Sequence, residues 1–215
     1  MPKSTDALET GRLMAEDWVD AACRAIAEGG VGGVAVEPLA RRLGVTKGSF
    51  YWHFRNRDAL LRAALERWER EDTEGTIGAL APLADPRERL ARLIGVAFAE
   101  HELVRDESGL GLRFTLAVSD AADDSVVGPV LRRVSERRIA YLEQEMGALG
   151  LDAIEARYRA LLAYAAYLGT LRLAREAPSR LPQGEELRAY HRHLLATLLH
   201  GVEGEGAGDK RQGRR

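Results

Sequence analysis

Apolar residues recur at helical spacing along most of the 215-residue chain, and β-branched runs are few outside Val31–Val36. The apolar residues of segment 13–28, for example, share one face of a helix: Leu13, Trp18, Ala22 and Ile26. Eight further helices are predicted in the same way: 36–43, 47–54, 56–73, 86–104, 109–119, 125–149, 152–176 and 185–202. The sequence therefore predicts an all-α protein of about nine helices.

Residues 35–60 contain two short predicted helices that are joined by a tight turn. The apolar residues of the first helix have the spacing of one buried face: Val36, Leu39, Ala40 and Leu43. Gly44 follows where a helix end favours a residue that tolerates positive φ. Thr46 has the side-chain oxygen of an N-cap, so a second helix can begin there. Phe50 and Phe54 lie four residues apart and form the buried face of that second helix.

The remaining positions of the second helix are unusual for a surface that serves only solubility: Lys47, Ser49, Tyr51, Trp52 and His53. Gly48 and Ser49 at its start would let a partner approach the backbone closely. These features fit the second helix of a helix-turn-helix, which enters the DNA major groove. The alternative is an ordinary helical hairpin whose aromatic residues belong to the core.

The same stretch resembles the DNA-binding signature of the tetracycline-repressor (TetR) family of bacterial transcription regulators. The matching residues are Ala40, Gly44, Val45, Thr46, Gly48, Phe50, Tyr51, His53, Phe54, Asn56, Arg57, Asp58 and Leu60. Ala35 departs from the family pattern, which usually has Thr or Ser as N-cap, and Pro38 in the first turn partly compensates. The resemblance implies a three-helix helix-turn-helix head and a larger helical body that binds a small-molecule effector and forms a homodimer.

Under this resemblance, DNA contacts are expected from eight residues: Arg41, Arg42, Thr46, Lys47, Ser49, Tyr51, Trp52 and His53. Lys47, Tyr51 and the Thr46 hydroxyl are expected to bind phosphates, and Ser49 and Trp52 to face base edges. The distribution of charge along the chain also favours DNA contact in this region. The whole chain has a net charge of −2, whereas residues 41–70 contain eight Lys or Arg against three acids, a local charge of +5. A solvated helix face explains part of this excess equally well.

Domain boundaries are expected to follow the same plan. We predict a flexible arm at 1–12, the helix-turn-helix domain at 13–60, the effector-binding and dimerisation domain at 61–202 and a disordered tail at 203–215. The chain breaks between Gly75 and Pro86, and the fourth helix bridges both parts.

Two segments, 152–176 and 185–202, are expected to form a homodimer interface. The first is apolar nearly all round in its middle, so a single neighbour cannot cover it. It also contains small residues that permit close helix approach: Ala163, Ala165, Ala166 and Gly169. A two-fold four-helix bundle would bury both segments. The alternative is that they complete a monomeric core.

The sequence indicates the effector site only weakly. The candidates combine aromatic lining with a few polar groups: Trp68, Phe98, His101, Arg113, Phe114, Tyr141, Tyr158 and Tyr164. Core packing is the alternative for each of them. His101 and Arg113 are the most informative, because a polar group on an apolar helix face needs a partner. No cofactor is expected besides the effector.

An enzyme and a helical scaffold that has lost DNA binding are the other function classes. No Gly-x-Ser-x-Gly, His-Glu-x-x-His or Cys-x-x-Cys pattern occurs, so no catalytic or metal-binding residue is predicted. His191 and His193 point to different faces of a helix. The single Cys23 excludes an internal disulfide, and the longest uncharged run, Ala160–Leu171, is too short for a bilayer. We expect a cytoplasmic protein with no membrane contact.

Overall fold

The computed structural model describes residues 13–103 and 110–202, so the predicted arm and tail lie outside it. Ten α-helices occur there: α1 (Ala15–Gly29), α2 (Val36–Arg42), α3 (Lys47–Phe50), α4 (Arg57–Trp68), α5 (Gly75–Leu80), α6 (Pro86–Leu103), α7 (Leu110–Asp120), α8 (Val127–Ala148), α9 (Ala153–Glu176) and α10 (Gly184–Leu198). Short 3₁₀ helices span Val31–Gly33 and Pro178–Arg180. The described residues contain no strand, and the all-α prediction is confirmed.

The fourth predicted helix differs most from expectation. It was predicted to end near Thr73, with breaks at Gly75 and Gly78. Instead, α4 continues through a π-helical turn, Glu69–Glu74, directly into α5, and the helical path ends at Leu80. Thr73 is only 2% exposed, so packing of this turn outweighs the low helix propensity of the glycines.

The chain divides into two compact units. Among the described residues, the first unit comprises 13–68 and 113–131, and the second comprises 69–103, 110–112 and 132–202. The predicted boundary between the helix-turn-helix domain and the body, at residue 60, lies eight residues before Trp68, where this segment of the first unit ends. The later division reflects the burial of Leu61, Leu65 and Trp68, which belong to the core of the first unit.

The core of the first unit holds α1 against α4. Trp18, Phe50, Leu60 and Leu61 are all fully buried there. Arg57 fixes the chain that enters α2, because its guanidinium donates to the carbonyl oxygens of Val31 and Val34, each at 2.8 Å. The fold of the head therefore holds α2 and α3 on a rigid base.

In the second unit, α6 packs against α9 and α10. A buried ion pair joins α6 to α8, with 2.6 Å between Arg89 Nε and Glu145 Oε2. Gly150 has a φ of 89°, which ends α8, and Asp152 then caps α9 by accepting from two backbone amides, each at 2.9 Å.

The start of α8 required a correction. The predicted helix begins at Ser125, whereas α8 begins at Val127, and the Asp124 carboxylate caps it by accepting from the amides of Val126 at 2.8 Å and Val127 at 3.1 Å. None of the described helices combines the length and the apolar composition that a membrane span requires.

Candidate nucleic-acid interface and ligand cavity

The predicted recognition helix, α3, is short and firmly anchored. Phe50 is fully buried, and its ring meets Trp18 edge to face with 5.3 Å between centroids. Phe54 is half-buried and stacks on Phe50 at 5.8 Å. The helix ends at Phe50 rather than at the predicted Phe54, and residues 51–53 continue as a turn. This anchor fixes the direction of every side chain around it.

The opposite side of this stretch faces solvent. Trp52 is 88% exposed and Tyr51 56% exposed, so neither is a core residue of a helical hairpin. Ser49 and His53 are half-buried, and the other predicted contact residues are exposed: Arg41, Arg42, Thr46 and Lys47. Thr46 occupies the N-cap position, but its side chain makes no capping hydrogen bond, contrary to prediction. The predicted DNA-contact residues thus lie on α3 and on the residues directly before and after it.

Local ion pairs modify the positive charge of this surface. Lys47 Nζ donates to Glu37 Oε1 at 2.8 Å, and the pair raises the pKa of Lys47 and lowers that of Glu37. Arg42 pairs with Glu28 at 2.5 Å, whereas Arg41 is exposed and belongs to no ion pair among the described residues. Sequence reasoning missed both acids, which lie in preceding helices.

The second unit contains a cavity of about 90 Å³ that is partly open to solvent. Its walls come from the π-helical turn, α5, α6, α8, α9 and α10. The apolar lining residues are Ile77, Leu93, Ile94, Val96, Ala97, Phe98, Leu142, Ala163, Leu194 and Leu198. The polar lining residues are Asp72, Thr73, Thr76, Arg138, Tyr141, Tyr164 and Tyr167. A mostly apolar lining with a few convergent polar groups is typical of a small-molecule site.

The predicted effector residues are divided by the structure. Phe98, Tyr141 and Tyr164 line the cavity. Trp68, Arg113 and Phe114 belong to the first unit, where Trp68 Nε1 donates to Thr115 Oγ1 at 3.2 Å and the Trp68 and Phe114 rings pack at 5.7 Å. Tyr158 is 58% exposed on α9. The His101 side chain lies outside the described part of the structure.

Sequence reasoning also missed the charged pair of the cavity. Arg138 forms an ion pair with Asp72, and its Nε donates to Thr73 Oγ1 at 2.9 Å. Burial disfavours the charged guanidinium, but Tyr167 and Asp72 outweigh burial and raise the pKa of Arg138 above its ordinary value. The guanidinium also lies 5.9 Å from the centroid of the Tyr167 ring.

Two neighbouring ion pairs hold the same π-helical turn to α8. Arg133 Nε donates to Glu69 Oε1 at 2.7 Å, and Arg137 Nε donates to Glu74 Oε1 at 3.1 Å. Nothing in the sequence spacing relates these acids to arginines more than sixty positions later. In the part of the chain that the structure describes, no group of three His, Cys, Asp or Glu side chains resembles a metal site.

Comparison with known proteins identifies the helix-turn-helix part of the chain. The model of the tetR family of bacterial regulatory proteins matches residues 19–64, which include α2 and α3. HTH-type transcriptional regulator BetI of Brucella anthropi is 26% identical over 133 residues, which are 61% of this chain and 69% of that protein. Tetracycline repressor class A from transposon 1721 of Escherichia coli is 44% identical over 55 residues, 26% of each chain.

Solved structures extend the likeness to the fold of most of the chain. A TetR regulator from Chloroflexus aurantiacus matches with a TM-score of 0.70 and 20% identity, over 87% of this chain and 95% of that one. FadR from Bacillus subtilis, solved with stearoyl-CoA, matches with a TM-score of 0.65 and 18% identity, over 88% of this chain and 100% of that one. Multidrug binding protein EbrR, complexed with malachite green, matches with a TM-score of 0.60 and 25% identity, over 86% of this chain and 96% of that one.

The family model covers the helix-turn-helix, the curated relatives are transcriptional regulators, and the TetR fold extends through the helical body. Residues 19–64 are therefore a DNA-binding domain of the tetR family of bacterial regulatory proteins, and most of the chain has the fold of TetR regulators.

Proposed function

We propose that the protein is a repressor that binds a pseudo-palindromic operator as a homodimer and is released by a small molecule. The observation that carries the proposal is the solvent-facing pair Tyr51 and Trp52 beside Lys47, held in place by the buried Phe50. Exposed aromatic side chains of this size are uncommon on a surface without a partner.

The proposed DNA contacts follow from reach and chemistry. Lys47 and Tyr51 bind phosphates, as does the Thr46 hydroxyl, which the α3 N-terminus does not use. Trp52 and Ser49 face base edges, and the exposed guanidinium of Arg41 contacts the backbone that flanks the groove. His53 and Arg42 lie at the border of this surface.

A second copy of the chain is the proposed partner of α9. Exposed apolar residues follow one side of this helix: Ile154, Tyr158, Leu161, Leu162, Leu168 and Leu173. Ala165 and Gly169 lie on the same exposed side and permit close helix approach. By contrast, Leu187 and Leu198 of α10 are buried within the chain. The dimer interface within 152–176 and 185–202 is therefore centred on α9.

The proposed effector site is the cavity of the second unit. FadR and EbrR bind stearoyl-CoA and malachite green, respectively. In this chain the π-helical turn lines the cavity and α4 leads directly into that turn. We infer that an effector moves α4 through this continuous helix and changes the separation of the two recognition helices. Because its target is the bacterial operator, the regulator acts in the cytoplasm.

Selection of bound duplexes from a random pool tests the proposal. We expect enrichment of a pseudo-palindrome whose half-sites lie about one helical turn of DNA apart, roughly 34–36 Å. Trp52→Ala, which removes an exposed side chain and leaves the core intact, should bind the selected duplex about tenfold or more weakly and lose the preference at the base pair that Trp52 contacts. Enrichment of a single asymmetric half-site, or a variant with unchanged affinity and unchanged preference at every base pair, would contradict the proposal.

A further inference from the structure

The cavity has one charged end and an otherwise apolar wall. Asp72 and Arg138 are the ionised residues that line it, and they pair with each other. Their side chains differ in access to water: Arg138 is 15% exposed and Asp72 24% exposed. The two charges also differ in chemistry, since a carboxylate can be rehydrated or protonated whereas a guanidinium keeps its charge.

Tyr141 provides a second polar group at this end of the cavity. It is 6% exposed, and its buried hydroxyl forms no hydrogen bond of good geometry, although the carboxylate of Glu145 lies close enough to interact with it. Burial, with the nearby charge of Glu145, raises the pKa of Tyr141, so the hydroxyl is a neutral donor. Glu145 itself accepts from Arg89 Nε at 2.6 Å, which neutralises that carboxylate. A buried donor whose hydrogen bond is poorly formed gains stability when a well-placed acceptor reaches it.

The Asp72–Arg138 pair and the Tyr141 hydroxyl together indicate the charge of a ligand that would fit the cavity. A cationic ligand that took Asp72 would leave Arg138 buried without its counter-charge. An anionic ligand would instead keep Arg138 paired, release the more exposed Asp72 and supply an acceptor for Tyr141. The polar end is therefore complementary to an acidic group and not to a basic or neutral one.

We propose that the effector is a hydrophobic monoanion whose acidic group replaces Asp72 at Arg138 and accepts a hydrogen bond from Tyr141. This inference rests on the proposed function and specifies the ligand class of the same cavity. The apolar body of the ligand lies against Ile94, Phe98, Leu142 and Leu194. A small hydrophilic anion would leave these residues uncovered and bind poorly.

Replacement of Asp72 also has a structural consequence. It removes one of the three ion pairs that hold the π-helical turn to α8, while Arg133–Glu69 and Arg137–Glu74 remain. The turn would then be held less tightly at the point where the helix leads back into α4.

Calorimetric titration of the full-length protein with three ten-carbon probes tests the ligand class: decanoate, decanol and decyltrimethylammonium. We expect decanoate to bind at least about tenfold more tightly than either other probe, because a charge-assisted hydrogen bond favours it. Ala97→Phe, which fills the cavity from α6, should abolish that binding and so locate it. Circular dichroism checks that each variant is folded.

Three variants separate the proposed contacts from general damage. Asp72→Asn should strengthen decanoate binding by about threefold or more, since Arg138 loses its competing carboxylate, and should leave decanol unchanged. Tyr141→Phe should weaken decanoate selectively. Glu74→Gln is the matched control, because it removes an acid from the same turn that pairs with Arg137 outside the cavity lining, and should change neither probe.

The outcomes distinguish the two proposals. If decanol or the ammonium binds in the cavity as tightly as decanoate, or if Asp72→Asn weakens decanoate, the anionic class is wrong but an effector cavity stands. If none of the three probes binds, the hydrophobic-monoanion proposal fails, while operator selection still tests the DNA-binding role separately.

Discussion

Lys47 is the residue whose DNA role is easiest to test. If it neutralises one phosphate, Lys47→Ala should weaken binding to all duplexes alike and reduce the log–log salt slope by about 0.9. Glu37→Gln should act in the opposite direction, because it removes the carboxylate that accepts from Lys47 at 2.8 Å. Fluorescence anisotropy with operator and random duplexes over a salt series measures both effects.

Arg62→Ala is the matched control for Lys47→Ala. Arg62 is an exposed arginine of the same unit, on α4, and we expect its removal to leave the slope unchanged. A Lys47→Ala protein with the slope of the unmodified chain would show that Lys47 does not contact phosphate.

The sequence predicts residue roles where they follow from periodicity and fails where they depend on distant partners. The burial of Phe50 and the exposure of Trp52 follow from helical spacing. Arg57, in contrast, contributes to the predicted local charge, yet it donates to the carbonyls of Val31 and Val34 more than twenty positions earlier. Such a bond has no local signature, because only the folded head brings these groups together.

At the scale of single elements, α8 depends on an aspartate cap. The Asp124 carboxylate accepts hydrogen bonds from two backbone amides, and these bonds lower the pKa of the carboxyl group. The charge of Arg57 lowers it further. Because this pKa is lower in the folded protein than in the unfolded chain, the stabilisation is complete above the ordinary value of about 3.9. It is lost as the pH falls through the folded-state pKa.

Substitution of Asp124 tests this cap. Asp124→Ala should lower the free energy of unfolding by about 1 kcal/mol at neutral pH. Asp124→Asn should keep much of the cap but lose its acid dependence, and Ser125→Ala should have no effect, since Ser125 does not cap the helix. Urea unfolding at neutral pH and near pH 3 measures all three. A loss in Ser125→Ala equal to that in Asp124→Ala would show that the Asp124 carboxylate is not the specific cap of α8.

The π-helical turn shows why element boundaries are harder to predict than elements. Nine helical segments follow from the apolar pattern, but Gly75 and Gly78 led to a predicted break that the structure does not have. Arg133, Arg137 and Arg138 hold the turn through ion pairs with residues more than sixty positions away. Local propensity cannot include that stabilisation, and the polar end of the cavity was missed for the same reason.

At the scale of the whole molecule, the sequence indicated which segments are too apolar for solvent, but not which side of each is covered. The predicted stripe of α10 includes Leu187 and Leu198, which are buried within the chain. On α9, Tyr164 and Tyr167 face the cavity, while Leu162 is 64% exposed on the other side. One side of α9 thus lines the proposed effector site, and the opposite side forms the proposed dimer face. Ligand contacts and dimer contacts therefore lie on opposite sides of the same helix.

Leu162→Glu tests whether that exposed face forms the dimer. The side chain is exposed in the single chain, so the variant should fold, but a two-fold interface would bury the new charge twice. We expect the Kd of the dimer to rise by about 30-fold or more, equivalent to about 2 kcal/mol. Operator affinity should fall with it, because a monomer binds one half-site. Ala91→Glu, at an exposed apolar position on α6, is the control and should remain dimeric in analytical ultracentrifugation. A Leu162→Glu protein that sediments as a dimer and binds the full operator normally would remove α9 from the interface.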